Sequence, residues 1–252
     1  MSDEQPSEDD DADDADDADD DDAVDIKAIT PSQGNTGSQS TPNVPVATVT
    51  RMALYLRELQ QLQRSGLQRI QSGAIAKRLG LNDSLVRRDL SCFGQFGQRG
   101  VGYSISRLIK AIQAILGTDR SWNVVLIGSG NLGRALSGYR GFNQQGFRLV
   151  GVFDSDPKKV GQQLGALTIR SLDELEAIVQ LEGVELAILA VPASSAAEVA
   201  QRLEIVGVTG ILNFAPVTVR RPGSRLTVVD VDLAVELQRL AFAVVNQKSE
   251  RT

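Results

Sequence analysis

Histidine is absent from this 252-residue chain, and cysteine occurs once, at position 92. The lack of histidine removes the commonest general acid–base and metal-ligating side chain, although Lys, Tyr or carboxylates can still serve an enzyme. A single cysteine excludes an intramolecular disulfide and a cysteine-based metal cluster. We therefore predict no metal site and no catalytic site, and the absence of histidine favours a binding protein over an enzyme.

Long apolar runs are also missing. No stretch of the sequence approaches the ~20 apolar residues that a membrane-spanning helix needs. The N-terminus has no signal-peptide pattern. We therefore expect a cytoplasmic protein.

The formal net charge of −6 hides two segments of opposite sign. Residues 1–25 hold 15 of the 32 acidic residues and no basic ones. Residues 1–45 combine an Asp-rich repeat with polar residues, so they cannot bury enough apolar surface to offset ordering, and we predict a disordered acidic tail. It is either a solubilising tail or a nucleic-acid mimic that competes for a basic surface of the same chain.

Residues 46–117 are predicted to form a winged helix-turn-helix domain. Apolar residues recur at helical spacing from Met52 to Leu62, a short second helix stops at Gly80, and cap-forming residues at 82–84 open a third. The segment 93–103 is too glycine-rich for a helix, and the strand-forming Val101, Tyr103 and Ile105 predict a small β-hairpin, the wing. Residues 51–110 contain 11 basic and three acidic side chains, and the third helix exposes Arg87 and Arg88. This charge with this layout predicts DNA binding.

In residues 118–231, predicted apolar strands at 122–127, 148–153, 184–190, 209–213 and 226–231 alternate with helices. This predicts a Rossmann-type doubly wound parallel sheet covered by helices on both faces. The strand Val124–Ile127 runs into Gly128, Gly130 and Gly133, which fit G-x-G-x-x-G, and Asp154 follows 21 residues after the last glycine. This pattern predicts a pyrophosphate-binding loop and an acid that accepts the ribose hydroxyls of NAD and repels the 2′-phosphate of NADP. Alternatively, the glycines only join strand to helix. Lys158 and Lys159 are interpreted as solvated.

Ligands bind such sheets at the carboxyl ends of the strands, which adds the residues after two further strands to the site. The predicted NADH/NAD⁺ contacts are Gly128, Ser129, Gly130, Asn131, Leu132, Gly133, Asp154, Pro192, Asn213, Phe214, Ala215 and Pro216.

Residues 232–252 are predicted to be a C-terminal dimerisation helix and a short tail. From Leu237 onward the helix is apolar on nearly every side, and one domain can cover only one face of it. A second chain is the economical cover for the other face, so we expect a dimer. The alternative is a helix held in a groove of its own domain.

The chain resembles the Rex family of redox-sensing transcriptional repressors over about residues 45–246. The matching segments are 45–48 with Arg51, Tyr55 and Arg57; 86–91; 99–103; 128–133; Tyr139 with 141–142; 153–154; 211–216; and 231–233. The family usually has a tyrosine where this chain has Cys92. That cysteine is either a second redox input or a small apolar side chain at a helix end.

The resemblance implies a homodimer that binds an inverted-repeat operator and represses genes of fermentative or respiratory metabolism. NAD⁺ permits DNA binding, NADH releases the protein, and the C-terminal helix is exchanged between subunits. The implied DNA contacts are Arg51, Ser84, Arg87, Arg88, Ser91, Arg99, Gly100 and Tyr103. The implied coupling and dimer residues are Arg57, Tyr139, Asp232, Leu233 and Phe242.

Two other functions fit parts of the pattern. One is an NAD-dependent dehydrogenase with a small helical substrate domain, which would want a proton-transfer residue beside the nicotinamide. We find none near residues 213–216. The other is a ligand-gated dimerisation module whose basic domain binds an acidic protein.

Overall fold

The computed structural model describes residues 45–94, 96–98, 101–220 and 223–249. Within them the chain forms two compact units, divided between Ile112 and Gln113. Residues 1–44 of the predicted tail lie outside the described residues, as do Arg99 and Gly100 of the predicted DNA contacts.

Three helices form the frame of the first unit: α1 (Val46–Arg64), α2 (Ser72–Leu79) and α3 (Asp83–Ser91). Gly80 ends α2 in the left-handed conformation, with φ 64°, which glycine adopts at little cost. Asn82 caps α3, because its side chain accepts a hydrogen bond of 2.8 Å from the Ser84 amide. The helix-turn-helix therefore depends on two residues at a tight corner.

A small antiparallel sheet follows the helices in this unit. Its strands are β1 (Arg69–Ile70), β2 (Gly97–Gln98) and β3 (Gly102–Ser104), with β3 in the middle. Gly102 has φ 83°, and a Cβ there would lie 2.6 Å from the Ile70 carbonyl oxygen, so only glycine fits. The predicted hairpin thus gains a third strand. Ile105, predicted to be a strand residue, instead begins α4 (Ile105–Leu116).

The second unit is built on a seven-stranded sheet with the order β10-β9-β8-β4-β5-β7-β6. All its neighbouring strands are parallel except the edge pair of β6 and β7. The strands β5, β7 and β6 lie on one side of β4, and the later strands β8, β9 and β10 lie on its other side. The strand order therefore reverses between β4 and β8, which is where a doubly wound fold binds its ligand. The strands are β4 (Trp122–Ile127), β5 (Phe147–Asp154), β6 (Gln163–Leu164), β7 (Leu167–Ser171), β8 (Leu186–Leu189), β9 (Gly210–Asn213) and β10 (Thr227–Asp230).

Helices cover the two faces of this sheet unequally. The helices that follow β4 in the chain are α5 (Asn131–Ser137), α6 (Gly141–Gln144), α7 (Leu175–Glu182), α8 (Ala193–Ile205) and α9 (Leu233–Ser249). One face packs against α7 and α8. In the described structure, the other face packs against the short α5 and α6. Helices therefore lie over both faces, as predicted, and the cover on the second face is thin because α5 has only seven residues before its C-cap, Gly138.

The thinly covered face carries an open apolar groove of about 360 Å³. Its lining includes Val124, Phe142, Phe147, Leu186, Leu212 and Val229. Along α9, every side chain from Leu233 to Asn246 is exposed. The described part of the chain contains no helix both long and apolar enough to span a membrane.

Candidate nucleotide site and DNA interface

The glycine loop after β4 depends on two close backbone approaches. Gly128 has φ 99°, and a Cβ there would lie 2.3 Å from the Ala190 carbonyl oxygen. A Cβ at Gly133 would lie 1.9 Å from the Gly128 carbonyl oxygen. Any larger residue at either position would displace backbone, so these two glycines are required by the fold itself.

Gly130 differs from the other two glycines of the loop. A Cβ added there would meet no protein atom within 4 Å, and its φ of −67° suits any residue. Gly130, Asn131 and Leu132 are all exposed at the start of α5. Neither packing nor backbone conformation explains glycine at 130, whereas close approach of a pyrophosphate does. The loop therefore fits a dinucleotide.

Asp154, at the end of β5, is buried and holds the loop. Its Oδ2 accepts hydrogen bonds from the Ser129 amide at 2.8 Å and the Ser129 hydroxyl at 2.6 Å. Its Oδ1 accepts one from the Asp156 amide at 2.9 Å. Burial alone would raise the pKa of Asp154, but these bonds and one from Lys159 outweigh it and lower the pKa to about 2. The carboxylate is thus ionised at physiological pH.

Lys159 is a site residue that the sequence analysis missed. Its ammonium lies 3.0 Å from Oδ2 of Asp154, and its side chain is one-third exposed. The turn from Asp156 to Lys159, closed by a 2.9 Å backbone hydrogen bond, returns the lysine to the acid. The interpretation of Lys159 as solvated is therefore wrong, and the Asp-Pro turn signal at 156–157 was the available clue.

The carboxyl ends of β8 and β9 supply the other predicted contacts. Pro192 is exposed and is the N-cap residue of α8. Asn213 is buried, and its amide donates to the Val217 carbonyl and to Asp230 Oδ1, both at 2.8 Å. Its Oδ1 accepts from the Ala215 amide at 3.0 Å. Asn213 thus shapes the 213–217 loop, which leaves Phe214 half-buried and Pro216 exposed.

The DNA-facing candidates cluster on α3. Arg87 and Arg88 are both exposed. Arg87 pairs with Asp83 one turn earlier, across the solvent-exposed side of the helix. The Ser84 hydroxyl donates to Asn82 at 2.6 Å, and the Ser91 hydroxyl donates to the Arg88 carbonyl at 2.8 Å.

Three further residues of this unit have other surroundings. Arg51 is half-buried, and its guanidinium donates through Nε and Nη2 to the buried Asp89. The ring of half-buried Tyr103 lies against Gly97, where an added Cβ would be 2.8 Å from it. Cys92 is exposed at the end of α3, where its thiol donates to the Arg88 carbonyl.

The candidate coupling residues lie in different units. Arg57 is exposed on α1. Tyr139 is 60% exposed and meets Phe142 edge to face, with ring centroids 5.0 Å apart. Asp232 caps α9 by accepting from the Ala234 amide at 2.8 Å. On that helix Leu233 and Phe242 are 63% and 70% exposed.

Two family models match the chain in the order of its two units. A putative DNA-binding protein N-terminus matches residues 43–91, and a CoA binding domain matches residues 119–217. Coenzyme A, like NAD, is built on an adenosine diphosphate. The second model therefore agrees with a pyrophosphate-binding loop.

Two similar proteins match this chain over most of their own length. The redox-sensing transcriptional repressor Rex of Carboxydothermus hydrogenoformans is 44% identical, over 79% of this chain and 95% of that protein. The Rex of Rhodopirellula baltica is 47% identical, over 79% of this chain and 84% of that protein. The chain belongs to the Rex family.

Solved structures agree with the Rex assignment. RSP in complex with beta-NAD⁺ and operator DNA superposes with a TM-score of 0.76 at 30% identity, covering 84% of this chain and 97% of RSP. RSP in complex with beta-NADH gives a TM-score of 0.73 at 28% identity, covering 84% and 99%. The winged-helix and Rossmann architecture predicted from the sequence is confirmed.

The loop geometry predicts opposite effects for two glycine substitutions. Gly130→Ala should leave the melting temperature unchanged, because its Cβ meets no protein atom. The same Cβ should lower the affinity for NADH by at least about tenfold, because it occupies the space of the pyrophosphate. Gly133→Ala should lower stability by ~1–3 kcal/mol through overpacking. Calorimetry and NADH titration of both variants measure this. Wild-type NADH affinity in Gly130→Ala would place the pyrophosphate elsewhere.

The Asp154–Lys159 pair predicts how cofactor preference changes. Asp154→Ala should lower the affinity for NADH, because the contacts with Ser129 are lost. It should also raise the affinity for NADPH relative to that for NADH, because the Lys159 ammonium is left without its carboxylate partner. Adding Lys159→Met should abolish the gain for NADPH. Lys158→Met, an exposed neighbour, is the matched control. An NADPH gain that survives Lys159→Met would exclude this lysine as the phosphate partner.

Proposed function

We propose that this chain is a DNA-binding transcriptional repressor that senses the NADH/NAD⁺ balance, binding its operator when NADH is low and leaving it when NADH binds. The observation that carries this proposal is that one chain joins a helix-turn-helix with exposed arginines to a Rossmann loop left open at Gly130. RSP, its Rex-family relative, holds operator DNA together with beta-NAD⁺ in one structure and beta-NADH in another.

The first unit supplies the DNA contacts. We place α3 in the major groove, with one of Arg87 and Arg88 at guanine edges and the other at phosphate. Ser84 and Ser91 lie on this helix, and Arg99, Gly100 and Tyr103 of the predicted wing follow it in sequence. The net charge of residues 51–110, with 11 basic and three acidic side chains, supports contact with the phosphate backbone.

The second unit supplies the redox input. Residues 128–133 hold the pyrophosphate, Asp154 and Lys159 lie at the ribose end, and Pro192 and the 213–216 loop lie at the nicotinamide end. Oxidised nicotinamide carries a positive charge and the reduced ring is neutral, so a site without an unpaired carboxylate favours NADH. Asp230, beside the 213–216 loop, accepts a hydrogen bond of 2.8 Å from the Asn213 amide.

A homodimer gives the repressor its symmetry. We propose that α9 of each subunit packs against the other subunit, since its apolar side chains are exposed on their own chain. The groove on the thinly covered sheet face is the kind of surface that such a helix covers. Two symmetric recognition helices then match an inverted repeat in DNA, and we propose that the protein acts in the cytoplasm.

The operator and its control by NADH can be tested together. Wild-type protein with NAD⁺ is expected to select an inverted repeat from a pool of random duplexes. NADH should then weaken binding to that selected duplex by about 5- to 150-fold. If no duplex is selected, or if NADH and NAD⁺ act alike, the proposal is wrong. Consumption of NADH with carbonyl substrates would favour the dehydrogenase alternative.

The proposed coupling rests on Asp232, whose cap contact gives it a purely structural alternative role. Asp232→Asn keeps a capping side chain but removes the charge, so helix capping alone predicts a silent change. As an ionic partner of Arg57, Asp232 should set how strongly DNA opposes NADH binding. NADH affinity with and without the selected duplex is measured for Asp232→Asn, Arg57→Ala and the double variant. Coupling lost in both singles, with little further loss in the double, supports the pair.

A further inference from the structure

A buried carboxylate lies within the helix that carries the exposed arginines. Asp89, on α3, is 3% exposed and accepts three hydrogen bonds from α1. Arg51 donates through Nε to Oδ2 at 2.5 Å and through Nη2 to Oδ1 at 2.7 Å. The Tyr55 hydroxyl donates to Oδ2 at 2.7 Å, and Arg51 Nη2 also donates to the Thr48 hydroxyl at 3.1 Å.

These four residues, which we call the Asp89 cluster, form one electrostatic unit. Burial alone would raise the pKa of Asp89, but the bonds from Arg51 and Tyr55 lower it below its usual range. Burial and the bond to Asp89 both raise the pKa of Tyr55. The Asp89 carboxylate therefore stays ionised and Tyr55 stays protonated at physiological pH.

Stability alone is a weak reason for such a cluster. Apolar residues that pack in place of a buried ion pair often give an equally stable protein. A bidentate arginine–carboxylate pair does something that apolar contact does not, because two parallel hydrogen bonds fix both distance and angle. Here they join helices whose paired residues lie 38 positions apart.

The cluster lies next to the arginines that are proposed to read DNA. Arg87 and Arg88 precede Asp89 directly on a helix of nine residues. Rotation of so short a helix about its axis would turn both arginines away from their targets. The two bonds from Arg51 to Asp89 oppose that rotation, as does the burial of Val86 and Leu90 on the same helix.

We propose that the Asp89 cluster positions the recognition helix: Arg51 and Tyr55 on α1 hold Asp89, and so set the direction in which Arg87 and Arg88 reach DNA. Arg51 acts through Asp89 and contacts no phosphate. This inference rests on the proposed DNA-binding function. Arg51, which the family resemblance implied to be a DNA contact, is here a residue that positions the recognition helix.

The test compares two charge-neutral double substitutions on the same domain. Arg51→Met with Asp89→Leu replaces the cluster pair by apolar side chains. Arg78→Met with Glu58→Leu replaces the α1–α2 pair, which lies 3.0 Å apart with Arg78 half exposed. Melting temperature, and affinity for the duplex that the wild type selects, are measured at several salt concentrations.

The cluster variant is expected to fold and to lose at least about tenfold in affinity with an unchanged salt slope, because no phosphate contact is removed. The control pair should retain affinity. A folded cluster variant with wild-type affinity overturns the proposal. A salt slope reduced by about one unit identifies Arg51 as a phosphate contact and overturns it too.

If the double variant does not fold, Arg51→Lys distinguishes a positioning role of Arg51 from a phosphate contact. Lysine keeps the charge and the capacity for a phosphate contact but loses the planar fork. Reduced affinity in a folded Arg51→Lys protein supports positioning, and wild-type affinity overturns it. If the wild type itself selects no duplex, the proposed function fails and this inference fails with it.

Discussion

The start of α5 lies so close to the end of β4 that no side chain fits between them. A Cβ at Gly133 would stand 1.9 Å from the Gly128 carbonyl oxygen, and one at Gly128 would stand 2.3 Å from the Ala190 carbonyl. This double contact brings together the carboxyl ends of β4 and β8, where the sheet order reverses. Asp154 then ties the loop to β5 through Ser129. The nucleotide site is thus shaped by backbone packing, and of the three loop glycines only Gly130 has open space beside it for a ligand.

Features that depend on local sequence could be predicted. Continuous apolar runs identified β4, β5, β8 and β9, since a strand buried on both faces has no polar alternation. Gly80 and Asn82 identified the corner of the helix-turn-helix, because their conformations and side chains act on adjacent backbone. The edge strands β6 and β7 were missed, because β7 buries only Ile169 fully and its other side chains meet solvent.

Features that depend on distant residues could not be predicted in the same way. Arg51 was counted with the basic surface, yet its partner Asp89 lies 38 residues away and only the tertiary fold joins them. Each acidic residue of 51–110 pairs with an arginine, Asp89 with Arg51, Glu58 with Arg78 and Asp83 with Arg87. Composition gives the net charge correctly and its location poorly.

The arrangement of α1 indicates how the two proposed activities are linked in the first unit. Arg51 and Tyr55 hold the recognition helix through Asp89, and Arg57, two residues beyond Tyr55, is exposed on the same helix. Met52 and Leu59 of that helix are fully buried, and the Arg51–Asp89 ion pair joins the helix to α3, so moving α1 against α3 would break that pair. If Arg57 couples the two sites as proposed, a displacement of α1 at this residue would carry the arginines of α3 with it. Such rigidity suits a switch, because a small displacement at one residue becomes a change in helix direction at the DNA instead of dissipating in the domain.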